Sequence, residues 1–170
     1  MSGTGRLDPR SGLFSQKLLE TLLSHEVIRS RRYPSPVALL YFALRYPKDA
    51  SDQVTESAQL IFTNLLQSKI READLPGLYE GNYLVIMPAT DGAGARVAAE
   101  RLLADFRGEQ ITREAVPFEM SVSIGVSSHN GGEGISASQL LSDASMALWE
   151  AQKRGPKSLV LFEEMKAEPD

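Results

Sequence analysis

Residues 37–44 read Val-Ala-Leu-Leu-Tyr-Phe-Ala-Leu, a run of strand length with no charge and no side-chain amide, punctuated on its N-terminal side by Pro34 and Pro36. A strand with one wet face alternates apolar and polar residues. An unbroken apolar run signals a strand covered on both faces. This stretch therefore predicts a sheet held between helical layers, with residues 37–44 central in it.

Residues 71–88, Arg-Glu-Ala-Asp-Leu-Pro-Gly-Leu-Tyr-Glu-Gly-Asn-Tyr-Leu-Val-Ile-Met-Pro, carry the second constraint. Apolar and aromatic residues flank Glu80-Gly81-Asn82, which predicts a β-hairpin whose turn places Gly81 and Asn82 at positive φ. Further on, 118–126 alternates in strand fashion through Ser-Ile-Gly-Val, and 159–162 is a last short strand.

Helical spacing accounts for most of the rest. Leu18, Leu19, Leu22, Leu23, Val27 and Ile28 predict an amphipathic helix over 13–31, with His25, Arg29, Arg31 and Arg32 on its solvated side. A second helix over 54–70 turns Ala58, Ile61, Phe62, Leu65, Leu66 and Ile70 inward. Thr90 or Asp91 caps a third, running to about Arg107, and Ser136 or Ser138 caps a fourth, running to Arg154. The fourth turns Leu140, Leu141, Ala144, Ala147, Leu148 and Ala151 inward. The glycine-rich stretch 129–134 is a loop and lacks the spacing of a P-loop. The pattern is α/β: a central mixed sheet of about five strands with a β-hairpin and helices on both faces. We expect a disordered lead at 1–6, one domain over 7–162 and a charged tail over 163–170.

A chain of 170 residues suffices for one core. It has no cysteine, hence no disulfide framework or thiolate metal site. No apolar run approaches the roughly 20 residues of a membrane span, and the first residues are small and polar, so no membrane partner and a cytoplasmic location are expected. A net charge of -4 argues against bulk electrostatic binding of nucleic acid. The partner is expected to be small, or another protein.

At the hairpin the chain resembles the GGDEF family of diguanylate cyclases, which condense two GTP into cyclic di-GMP at a turn spelled Gly-Gly-Asp/Glu-Glu-Phe. Tyr79 and the strand 84–88 match the family's flanks, and Asp8-Pro9-Arg10-Ser11-Gly12-Leu13 is similar to its opening motif, Asp-x-Leu-Thr-Gly-Leu. Ser-Ile-Gly-Val is a further family hallmark. The stretch 144–157 is similar to the family's Ala-Asp-x-Ala-Leu-Tyr-x-Ala-Lys-x-x-Gly-Arg-Asn. The likeness spans roughly residues 7–162.

Several positions depart from the family's chemistry. The turn is Glu80-Gly81-Asn82-Tyr83, one residue short and without the acidic pair. Where the family's first buried strand ends in a magnesium-binding Asp stands Ala43, followed by Leu44 and Arg45; the family's phosphate-holding Lys and Arg fall on Gln152 and Pro156. The loop before the second helix is about four residues short and lacks the guanine-reading Asn, with Glu56 as the one stand-in for the accompanying Asp. Magnesium takes hard oxygen ligands, chiefly carboxylates, phosphates and water, and the condensation needs a dication together with donors aimed at developing charge. The expectation is a catalytically inactive domain with no metal and no cofactor.

The resemblance also implies a second nucleotide site, where family members bind cyclic di-GMP at Arg-x-x-Asp before the hairpin together with an Arg on the following helix. Here these are Arg71, Asp74 and Arg101. Guanidinium groups pair with phosphate oxygens or guanine O6 and N7, and a carboxylate accepts from guanine N1 and N2. The leading expectation is a cyclic di-GMP receptor in bacterial second-messenger signalling, acting on a protein partner and capable of ligand-linked homodimerisation. The alternative is a nucleotide-independent interaction module, with Tyr79, Tyr83 and Leu84 as its candidate surface. GTP binding or residual cyclase activity is the third reading.

Overall fold

The computed structural model describes residues 7, 12–46, 49–107, 110–113, 116–119 and 121–167. The expected lead, residues 8–11 of the opening motif and the end of the tail lie outside these. The elements are α1 Gln16–Arg32, β1 Val37–Arg45, α2 Asp52–Lys69, β2 Leu75–Tyr79, β3 Asn82–Pro88, α3 Gly92–Arg107, β4 Gln110–Arg113, β5 Val116–Glu119, β6 Ser121–His129, α4 Ala137–Arg154, β7 Leu159–Leu161 and α5 Phe162–Ala167.

Five strands form one sheet in the order β2-β3-β1-β6-β7, so the apolar run does sit at the centre. β1 pairs antiparallel with both neighbours, and β7 closes one edge parallel to β6. Alternate residues of β1 feed two different cores. Ala38, Leu40 and Phe42 pack with Phe62, Leu66, Leu102 and Phe106 beneath α2 and α3. Val37, Leu39, Tyr41 and Ala43 pack with Leu19, Leu23, Leu140 and Leu148 beneath α1 and α4. That two-sided burial is why the run contains no polar break.

Hydroxyl caps start three of the long helices: Ser15 accepts from Leu18 N, Ser51 from Val54 N and Ser136 from Gln139 N. Asp91 caps α3, accepting from Gly94 N at 2.8 Å. Against β6, α4 lies so close that a Cβ on Gly125 would stand 2.2 Å from Leu148 N and 2.7 Å from Ala144 O. Only glycine lets this strand and helix meet, which is the physical content of Ser-Ile-Gly-Val.

Four expectations are corrected. The hairpin turn has positive φ at Glu80 (49°) and Gly81 (79°), with Asn82 already paired to Tyr79 as the first residue of β3. It is a two-residue turn of the type that twists with its strands, so the left-handed pair lies one position earlier than expected. The alternation over 118–126 belongs to two strands, because β5 pairs with β4 in a separate two-stranded sheet while β6 joins the main one. Ile28, counted on the apolar face of α1, is 59% exposed, because the buried stripe runs through Leu19, Leu23, Val27 and Ser30. The segment read as a tail begins with α5, whose Glu164 pairs with Arg96 of α3.

Candidate functional site

β3 leaves the sheet at Pro88 beside the start of β1, where Val37 pairs with Pro88. Ala89 then adopts a left-handed conformation (φ 52°), and Asp91 opens α3. On the other side, α2 ends at Lys69 and the chain crosses through Arg71 and Asp74 into β2. These segments enclose an open cleft of about 730 Å³, whose lining includes Arg71, Asp74, Thr90, Asp91, Val97 and Arg101. Its size falls within the about 300–1,000 Å³ of small-molecule sites. Two segments far apart in sequence thus bring the three expected residues to one place.

Arg71 is held by several contacts. Its Nη2 donates to Asp74 Oδ1 at 2.9 Å, to Thr90 Oγ1 at 2.6 Å and to the Pro88 carbonyl at 3.2 Å. Its Nε and its backbone N–H both reach Asp74 Oδ2, at 3.4 and 2.9 Å. These bonds to Asp74 raise the Arg71 pKa above its usual value and keep it a cation. The Asp74 side chain has no exposed surface, whereas 54% of the Arg71 side chain is in water. Asp74 therefore forms the wall behind Arg71, with its oxygens turned to Arg71 rather than presented to a guanine edge as the sequence suggested. Arg101 is exposed on α3, along the same rim as Val97 one turn earlier. Lys69 and Asp105 form a 3.8 Å ion pair at the margin.

Thr90 and the Pro88 carbonyl are the contributors that sequence reasoning missed. Thr90 was visible only as a possible helix cap. A backbone carbonyl leaves no mark in a sequence.

The positions where family members carry catalytic groups lie at the opposite end of the sheet. Phe42 pairs with Tyr83, whereas Val37 pairs with Pro88, and the five residue steps between these pairs span most of β3, about 17 Å at roughly 3.3 Å per residue. Ala43 is a core methyl, 5% exposed, opposite Ser123 of β6. Arg45, Glu80 and Gly81 are exposed, Asn82 is half-buried, and Gln152 and Pro156 are exposed near the C-terminal end of α4. Tyr83 and Leu84, expected as surface candidates, are 9% and 1% exposed and belong to the two cores. Tyr79 keeps partial exposure, its carbonyl accepting from Tyr41 Oη at 3.0 Å.

The magnesium implied by the resemblance needs a set of hard oxygen ligands. At this end Ala43 offers a methyl group, Ser123 and Asn82 are neutral, and Glu80 is a single carboxylate on an exposed turn. Among the described residues, no group of three His, Cys, Asp or Glu is gathered to hold a metal. The described residues at this end do not make a dication site. No helix among the described residues is long and apolar enough to cross a membrane.

Comparisons with known proteins agree with this architecture. Residues 6–158 match the sequence model of the family described as diguanylate cyclase, GGDEF domain. The GGDEF domain of FimX from Pseudomonas aeruginosa superposes with a TM-score of 0.84 at 18% identity, covering 92% of this chain and 98% of that one. The GGDEF domain of DgcB from Caulobacter crescentus, in complex with c-di-GMP, gives 0.87 at 13% identity, covering 96% of each chain. The diguanylate cyclase SiaD from Pseudomonas aeruginosa, in complex with its activator SiaC, gives 0.80 at 25% identity, covering 91% of this chain and 61% of that one. No match was found among curated proteins.

Proposed function

The chain belongs to the GGDEF family, and from that premise we propose that it is a catalytically inactive member that acts as a cyclic di-GMP receptor at the Arg71, Asp74 and Arg101 site, where the two arginines supply the cations and Asp74 holds Arg71. The supporting observation is that these three residues line one cleft of ligand size, with Arg71 held as a cation whose side chain is half-exposed. Two cations lining one cleft suit a ligand with two phosphates, and guanidinium groups also read guanine O6 and N7. One related GGDEF domain, that of DgcB, was solved with c-di-GMP.

The inactive half of the proposal draws on the far end of the sheet. Without a carboxylate set, nothing there holds the dication that would neutralise a triphosphate and lower the pKa of an attacking hydroxyl. Each several kcal/mol of lost stabilisation multiplies the barrier's effect, since about 1.4 kcal/mol is tenfold in rate. Ligand binding would be passed to a protein partner, directly or through a ligand-linked homodimer.

Isothermal calorimetry with cyclic di-GMP tests the receptor role: the wild type releases or absorbs heat on a saturable curve and Arg71→Ala does not. A silent wild type ends it. Incubation with GTP and magnesium tests inactivity, and cyclic di-GMP formed over many turnovers would restore the cyclase reading.

The second reading is an interaction module that binds no nucleotide. Trp149 and Met146, 62% and 50% exposed on α4, favour it as an apolar patch outside the cleft. Capture of a partner that is indifferent to cyclic di-GMP and to Asp74→Ala would support this reading.

A further inference from the structure

Thr90 occupies an unusual place in the cleft. It is 7% exposed, and its hydroxyl bonds on both sides, accepting from Arg71 Nη2 at 2.6 Å and donating to the Pro88 carbonyl at 2.9 Å. Its backbone N–H donates to the Pro36 carbonyl at 3.1 Å, which ties it to the start of the central strand. The preceding residue, Ala89, sits in the left-handed region at φ 52°, a conformation that a non-glycine residue adopts at a cost. The reversal at Ala89 leaves the Thr90 hydroxyl within reach of both Arg71 and Pro88.

The consequence concerns which edge of Arg71 faces the cleft. Asp74 engages Nε and Nη2 from one side, and Thr90 with Pro88 takes Nη2 from another. Among the described residues, Nη1 makes no hydrogen bond. A side chain with four rotatable bonds is thereby held with one edge spent on protein acceptors and the other left for an anion. Such fixing saves the ordering cost that a mobile arginine meets on binding. Asp74 holds the guanidinium by its Nε–Nη2 edge, with the Nε contact the longer at 3.4 Å, and Thr90 with Pro88 adds a second anchor on Nη2 that narrows the motion left to it.

We propose that Thr90 is a positioning residue for the anion-binding arginine: its hydroxyl fixes the Arg71 guanidinium so that Nη1 faces the cleft. The proposal rests on the receptor reading for its ligand. It goes beyond the Arg-x-x-Asp pattern, which contains no position corresponding to Thr90. It also predicts a coupling, because Thr90 immediately precedes the Asp91 cap of the helix that carries Arg101. One short segment thus sets both cationic rims.

The test compares Thr90→Val, which keeps the shape and removes the hydroxyl, with Thr90→Ser, which keeps the hydroxyl. In the ligand-free protein, the Arg71 Nε–H resonance is followed by NMR. Thr90→Val should lower its order parameter and shift it, whereas Thr90→Ser should leave it near the wild-type position. Calorimetry with cyclic di-GMP should show Thr90→Val binding about tenfold more weakly, the low end for a hydrogen bond to a charged group, and Thr90→Ser within about twofold. Melting curves establish that both variants are folded. An Arg71 signal unchanged by Thr90→Val, or a Thr90→Val affinity equal to wild type, overturns the positioning role. A wild type that gives the NMR result but no heat with cyclic di-GMP sustains the positioning of Arg71 and overturns the receptor reading instead.

Discussion

Arg71 and Asp74 form an asymmetric pair, a carboxylate with no exposed surface gripping a guanidinium that keeps 54% of its side chain in water. The asymmetry predicts unequal costs. Removing Asp74 leaves an arginine that can turn to solvent, whereas removing Arg71 strands a covered anion with the backbone N–H of residue 71 as its remaining donor. In urea unfolding at neutral pH, Arg71→Ala should lose about 1–2 kcal/mol more than Asp74→Ala. The reverse order would mean that the covered carboxylate finds other support.

The hairpin turn predicts a gain. Glu80 holds φ 49° beside Gly81 at 79°, and its backbone N–H donates to Gln16 Oε1 at 2.9 Å. An L-residue with a long side chain is strained there, whereas asparagine tolerates the left-handed region and Asn-Gly is the favoured pair for such a turn. Glu80→Asn should raise stability by about 0.5–1 kcal/mol, read as a higher melting temperature, because the bond to Gln16 uses only the backbone. A lower melting temperature would show that the Glu80 side chain contributes more than its backbone strain costs.

Gly125 is the tightest point between sheet and helix. A methyl group there meets the backbone of Leu148 and Ala144 rather than the end of a flexible side chain, so α4 must lift from β6. Gly125→Ala should cost about 3 kcal/mol, at the upper end for overpacking, despite the usual preference for alanine over glycine in a strand. Denaturant titration measures it, and a loss below about 1 kcal/mol would mean that the helix shifts freely.

Alkaline pH should weaken the fold through its tyrosines. Burial raises the pKa of Tyr41, Tyr46 and Tyr79 above 10.0. Below the unfolded value the phenols are neutral in both states and the native preference for the neutral form is fully present. As pH rises past it, the unfolded chain ionises first, the native state holds more protons, and stability falls. Urea midpoints should therefore hold steady to about pH 10 and drop above it, less steeply in Tyr41→Phe. A Tyr41→Phe curve parallel to wild type would place the alkaline loss on other groups.

Much of this architecture was legible because burial writes itself into composition. The unbroken run through β1 required two covered faces, and both cores draw on alternate residues of that run. The three cleft residues were named from the resemblance to the GGDEF family, and they line one cavity. What was hidden depended on choices that side chains do not record. Val116–Glu119 and Ser121–His129 share one alternating pattern, and only the identity of the pairing partner separates them. Ile28 has the right chemistry for the buried stripe of α1 but the wrong angle around it. The grip on Arg71 comes partly from a carbonyl, which every residue has.

The placement of the arginine clasp and the hairpin turn at opposite ends of β3 also bears on how such a domain can diverge. Every acceptor that steadies Arg71 comes from Asp74, Pro88 or Thr90, and the Glu80-Gly81 bend supplies none of them. Substitutions can accumulate around that bend and the Ala43 edge without loosening a single bond of the arginine clasp. A domain built this way can lose the chemistry of one end while keeping the grip of the other, the β-sheet acting as a spacer between them.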